Sequence, residues 1–395
     1  MTERTAEQTV ERPAPPRPRP DAVERRGAGP PARPPVLGRL LLLLPGGVAL
    51  LAGLDAALML LGLAAPLRSD RLPQVHGMLL VLGFVGTLVA LEGAVALGRP
   101  WGFLAPAGLG AGALLLISPL PLVAGGWALV VGAGALGAVY VPLWRRQPAG
   151  AVAVQALGAV LGTGAALLWL GGVPVPRLLP WLAGFLVLTI GGERLELARV
   201  AALAPRVERG AVAVAAAVAA GALASLLWPS AGNPLFGAAL VGLAGWLLRH
   251  DVARHTVRST GLPRFMACCL LAGYAWLGVA GATWLLVGRV DSGAGYDVVI
   301  HAVFLGFVLS MVMAHAPVIL PAVLRRPLPY HRAMYGPAAR LHASLAVRVL
   351  LGDARGVPPA WRVGGVLNIV SVLLFVAVAI WSVAGSARRA RRAAR

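Results

Sequence analysis

"HAVFLGFVLSMVMAH", residues 301–315, is a run of aliphatic and small side chains with a histidine at each end. It lies within a longer apolar run over residues 297–324, long enough at about 1.5 Å per residue to cross a hydrocarbon layer of roughly 30 Å. Comparable runs recur along most of the chain. Backbone groups inside a bilayer have no water to bond, and these runs lack the alternation of barrel strands, so they must be helices. Composition agrees, with 58 % hydrophobic and only 13 % charged residues, whereas soluble domains carry about a quarter charged residues. The sequence predicts an all-α, polytopic membrane helical bundle.

Twelve transmembrane helices are expected, at roughly 37–65, 74–98, 102–118, 123–143, 149–171, 178–203, 210–228, 234–249, 264–287, 297–324, 337–352 and 362–385. The eleventh is the weakest, being short and carrying Arg340, His342 and Arg348. The basic residues test the count, since arginine collects in cytoplasmic loops. With twelve helices and both termini cytoplasmic, 27 arginines fall inside and 6 outside. Omitting the eleventh helix would put the tail "ARRARRAAR" on the external side.

Residues 1–36, rich in proline and arginine, have too little apolar surface to fold and predict a disordered cytoplasmic tail. Residues 37–387 form the transmembrane domain and 388–395 a basic cytoplasmic tail. The net charge of +20 is all arginine, with no lysine. It sits in loops and tails, where orientation in a cytoplasmic (inner) membrane explains it, so nucleic acid is not an expected partner. Cys268 and Cys269 are adjacent inside an apolar run and predict packing residues. No large soluble domain and no internal repeat is evident, and most of the 50 glycines suit close helix packing. Function is therefore expected within the membrane or at its faces.

Four histidines stand at membrane depth. Fourteen helical residues rise about 21 Å and turn about 1400°, close to whole turns, so His301 and His315 are expected on one face in opposite leaflets. His76, in "PQVHGMLLVLGF", opens helix two at the depth of His301, and His342, in "RLHASLAVRVL", lies near the depth of His315. An outer pair, His76 with His301, and an inner pair, His315 with His342, are the candidate metal sites. Neutral imidazole is the commonest metal ligand, and facing imidazoles suit haem iron or copper. The bland alternative is a histidine that bonds a carbonyl near the interface. Below His76, the face through Gly83, Thr87, Ala90 and Ala94 is small and could take a flat macrocycle or another helix. His250, His255 and His331 lie in arginine-rich loops and suggest solvated or lipid-facing roles.

A second constellation is acidic. Helix six ends in "TIGGERLELARV" and helix two carries Glu92. A charge at the membrane centre costs about 2.5–3.5 kcal/mol on the mildest scale, so Glu92, Glu193 and Glu196 should be paired, hydrated or protonated. Glu196 is expected to pair with Arg199 along one helix, and Arg194 to reach Glu92. With Arg194 the three acids form a candidate proton path, or a set of ion pairs that fixes helix packing. Asp55 is an intramembrane acid with no evident partner.

The segments "HGMLLVLGF" (76–84), "LPRFMACCLLAGYAWLGVAG" (262–281), "HAVFLGFVLSMVMAH" with the basic, proline-containing loop after it, and "ARLHASLAVRVL" (339–350) resemble the NnrS-type membrane proteins. More distantly, the twelve-helix plan resembles subunit I of the haem–copper oxidases. The resemblance spreads over most of residues 70–385. It implies haem b, and copper, held by His76 and His301 most directly and by His315 and His342 less so. It also implies a membrane or periplasmic electron donor, and a role in electron transfer or in the response to nitric oxide or another diatomic gas. Helices six and seven carry no histidine, so oxygen reduction is not implied. Two other functions remain open: a proton-coupled small-molecule transporter that uses the Glu/Arg cluster, and an assembly factor without a cofactor.

Overall fold

The computed structural model describes residues 36–200, 203–324 and 328–393, so the expected N-terminal tail lies almost wholly outside the described residues. The chain is an all-α, multi-pass membrane bundle, and no strand occurs among the described residues. Its helices are α1 (Val36–Leu60), then α2 (Arg71–Leu97), α3 (Pro100–Ile117), α4 (Leu122–Arg146), α5 (Gly150–Leu170), α6 (Val175–Arg199), α7 (Pro205–Leu227), α8 (Pro229–His250), α9 (Gly261–Val287) and α10 (Gly293–Pro321). The next, α11 (Tyr335–Ala346), continues directly into a segment wound as π-helix, Val347–Asp353. The last, α12 (Pro358–Ala393), carries the basic C-terminal segment as a continuation of its own helix.

Eleven of these, all but α11, are long and apolar enough to span a bilayer. The remaining expected span, residues 337–352, is not among them and is the most polar, since Arg340, His342 and Arg348 lie in it. Its direction nevertheless fits a crossing. One cavity is lined by the end of α1, the starts of α2, α6, α10 and α12, and by Arg348 at the end of α11. The α11 segment thus arrives at that end of the bundle while α12 departs from it, as in a chain whose twelve helices alternate.

Proline marks several helices internally, including Pro45, Pro180, Pro234, Pro317 and Pro321. A buried bundle tolerates them because neighbouring groups re-satisfy the freed carbonyls. Of the eleven apolar spans, α6, α2 and α10 are the most buried. They come four helices apart, and the pairs α1–α2, α5–α6 and α9–α10, like α3–α4, α7–α8 and α11–α12, pack side by side. Around this centre the outer helices present large apolar side chains outward, Leu286 being 82 % exposed and Trp127, Trp144, Trp228 and Trp381 more than half or nearly half exposed. That surface is what a lipid bilayer covers.

Three stretches wind with π-helical spacing: Leu79–Gly86 in α2, Ala302–Leu309 in α10 and Val347–Asp353 after α11. Such turns are rare and gather at functional sites. The α10 segment corrects one expectation, because a constant rotation of about 100° per residue does not hold between His301 and His315. The small face of α2 is also settled. A Cβ at Gly83 would stand 2.8 Å from Ala113 Cβ and 3.2 Å from Ala49 Cβ, so that face takes α3 and α1 rather than a macrocycle.

Candidate functional site: two imidazoles on one cavity

The cavity between α1, α2, α6, α10, α11 and α12 has a volume of about 400 Å³, within the range of roughly 300–1,000 Å³ common to small-molecule and cofactor sites. His76 and His301 both line it. Each ring is oriented through Nδ1. His76 Nδ1 lies 2.9 Å from the carbonyl of Gly53, and His301 Nδ1 lies 2.8 Å from the carbonyl of Asp297, one turn earlier in α10. Carbonyl oxygens only accept, so Nδ1 carries the proton in both rings. The lone pair is left on Nε2, which makes no hydrogen bond in either ring among the described residues. A metal-ligating histidine is typically set up in this way, with one nitrogen anchored and the other presented.

Asp297 supports His301 a second time, its Oδ2 standing 3.3 Å from Nδ1. The same carboxylate takes a two-pronged bond from Arg348, with Nε to Oδ2 and Nη2 to Oδ1 both at 2.7 Å. The guanidinium also lies 4.9 Å from the centre of the Trp361 ring. Glycines of α12 make room for it: a Cβ at Gly365 would sit 2.6 Å from Arg348 Nη1, and one at Gly364 would sit 2.7 Å from Arg348 Cβ. The helical spacing Asp297-x-x-x-His301 in the sequence was a usable signal for the carboxylate. Arg348 had none beyond its depth.

The expected inner pair does not form a matching site. His315 Nδ1 bonds the carbonyl of Met311 at 2.8 Å, and its Nε2 lies 3.3 Å from Arg194 Nη1. His342 accepts from Trp276 Nε1 at 3.1 Å through Nδ1, and its Nε2 meets Ser310 Oγ at 3.4 Å. Both nitrogens of each ring are engaged by protein groups. No cluster of three or more metal-ligating side chains occurs among the described residues.

The acidic cluster is wired differently from expectation. Arg194 pairs with Asp251 rather than Glu92, through Nε–Oδ2 and Nη2–Oδ1 contacts of 2.7 Å, and Tyr274 donates to the same carboxylate at 2.7 Å. Arg199 pairs with Glu208 at 3.2 Å rather than with Glu196. The reason is reach across helices: α6 packs against α7 and α8, whose ends bring Glu208 and Asp251 within range. Glu92, Glu193 and Glu196 make no hydrogen bond or ion pair among the described residues. Asp55, also open in sequence, accepts from the backbone N–H of Leu67 at 3.3 Å and ties the loop after α1. Of the loop histidines, His331 accepts from Ala333 N at 3.1 Å and packs edge-on against Trp381.

Residues 39–384 match the model of a family described as a domain of unknown function, DUF8744. The chain belongs to that family. No curated protein and no solved structure matches it. In this family member the cavity brings together two presented imidazoles, each on a helix that turns π-helical within a few residues, and a buried arginine from a third π-wound segment.

Proposed function

We propose that the protein binds haem b in its cavity through His76 and His301, with copper as the other metal these ligands suit. We further propose that it serves electron transfer, or the response to nitric oxide or another diatomic gas, from the cytoplasmic membrane. The observation that carries this is the pair of Nε2 lone pairs left free on one cavity, with both Nδ1 protons held by main-chain carbonyls. The resemblance to NnrS-type proteins supports the same ligands. Haem supplies one-electron chemistry and affinity for diatomic gases. The chain's own residues do the rest: Gly53 and Asp297 fix the rings, Leu54, Leu80, Val81 and Leu179 exclude water, and Arg348 holds Asp297 in place. A membrane or periplasmic partner would donate the electron.

The test is a visible spectrum of the purified chain. A Soret band with a reduced-minus-oxidised α-band is expected, lost in His76→Ala and in His301→Ala and retained in His342→Ala. A second reading, proton-coupled transport, is favoured by the three carboxyls of Glu92, Glu193 and Glu196, which lack ion-pair partners among the described residues. A stable, colourless, metal-free preparation with proton-linked uptake abolished by Glu193→Gln would replace the haem assignment with that one.

A further inference from the structure

We infer that the α11–α12 wall of the cavity is a carboxylate-binding edge, made by the amide of Asn368 and the unused edge of the Arg348 guanidinium. The inference rests on the proposed tetrapyrrole and names the part of it that this wall holds. Asn368 is 2 % exposed and lines the cavity. Its Oδ1 accepts from Ser344 Oγ at 2.5 Å, while its Nδ2 is buried with no partner among the described residues. A buried amide N–H without an acceptor forfeits its hydration and gains nothing back. Here the orphaned donor belongs to a side chain on a cavity wall, so a ligand can supply the acceptor.

Arg348 adds the charge. Its Nε and Nη2 are taken by Asp297, and its Nη1 makes no hydrogen bond among the described residues. Nη1 is the atom that occupies the space a Cβ at Gly365 would fill, and Gly365 itself lines the cavity. One guanidinium carries five N–H donors, enough to serve Asp297 and a second carboxylate together. The donors come from α11 and α12, and the imidazoles from α2 and α10. One amphiphilic ligand can thus meet metal-binding groups on one side and carboxylate-binding groups on the other.

Three probes test this in detergent on the full chain: haem b, its dimethyl ester with both carboxylates capped, and metal-free protoporphyrin IX. They are titrated into the wild type, Asn368→Leu and Asn368→Asp, followed by the Soret band or by porphyrin fluorescence, with the thermal midpoint as folding control. The wild type should prefer haem b over the ester about tenfold or more. Asn368→Leu should cut that preference to what the Arg348 guanidinium alone supplies while leaving ester binding unchanged. Asn368→Asp keeps an acceptor for Ser344 and sets a like charge against the ligand, so its loss should be larger. Equal affinity of the wild type for haem b and ester, or equal losses for both in the variants, overturns the inference even if a His76- and His301-dependent band persists. Carboxylate-dependent binding of protoporphyrin IX without any histidine-dependent haem band upholds this wall and removes the axial assignment. Failure of all three probes to bind removes both.

Discussion

Asp251 stands one residue beyond α8, 1 % exposed, and accepts from Arg194 Nε and Nη2, from Tyr274 Oη and from the backbone N–H of Ala253, each at 2.7 Å. Burial raises its pKa, but the Arg194 guanidinium, the Ala253 amide and the Tyr274 hydroxyl outweigh that and hold the carboxyl below its ordinary range. A carboxylate with a depressed folded pKa stabilises the fold above its unfolded value, about 3.9, and loses that contribution as pH falls through the lower folded value. The thermal midpoint in detergent should therefore be lower in Asp251→Asn than in wild type at pH 7, and the gap should narrow as the medium is acidified below about pH 4. Arg194→Met, which strands the carboxylate, should cost about 3–5 kcal/mol. A gap that stays constant down to pH 3 would show that the charge of Asp251 contributes nothing. In the sequence this residue was lost inside "RHDVARH" (249–255), where a lone acid among basic residues looks solvated. Its burial comes from α6 and α9 closing over it, and no local pattern records that. That His76 and His301 stand at the same end of the bundle was legible because each opens its helix on the same side of an alternating chain. The partners of His315 and His342 were not, because rotation about a helix axis is set by neighbours and, in α10, by eight residues of π-winding.

At the scale of elements, α11 and α12 approach so closely that the glycines of α12 decide where Arg348 lies. A Cβ at Gly364 would meet Arg348 Cβ, Cα and N at 2.7, 2.9 and 2.9 Å, two of them main-chain atoms that cannot swing away. A Cβ at Gly365 would meet Arg348 Nη1 at 2.6 Å and Leu61 Cδ2 at 2.8 Å, both ends of side chains. Gly364→Ala should therefore push the helices apart and destabilise by about 1–3 kcal/mol, as overpacking does. Gly365→Ala should cost less stability and instead shift Arg348, loosening its bond to Asp297. Thermal midpoints rank the two, and a spectrum of the reconstituted chain checks whether Gly365→Ala alters the His301 environment while Gly364→Ala lowers stability. Equal midpoints for both variants would mean that the α11–α12 contact is softer than these distances say. The sequence showed glycine in abundance but could not separate these two from the rest, since close approach is a property of two helices together.

For the whole molecule the decisive question is whether α11 crosses. If it does, the loop before it, at His331, and the loop after it, at Gly356, lie on opposite faces of the membrane, and the twelve helices leave both termini on one face. The cavity supports a crossing, because residues from the start of α12 and the end of α11 line it together with the ends of α1, α2, α6 and α10. Arginine placement supports it from the other direction: 27 on one side against 6 on the other holds only with twelve crossings. α11 differs from the eleven apolar spans by its polarity, and the structure shows where that polarity goes. Arg348 is forked onto Asp297, Ser344 bonds Asn368, and His342 meets Trp276 and Ser310. Polar groups in a bilayer turn inward and pair in this manner, so a hydropathy threshold discounts the helix that supplies the interior with its polar side chains. In a background with Cys268 and Cys269 replaced by alanine, single cysteines at Ser69, Ser292 and Gly356 should react with an impermeant thiol reagent from one face. Cysteines at Ser259 and His331 should react only from the other. Labelling of positions 331 and 356 from the same face would make α11 a re-entrant segment and put the C-terminus across the membrane from the N-terminus.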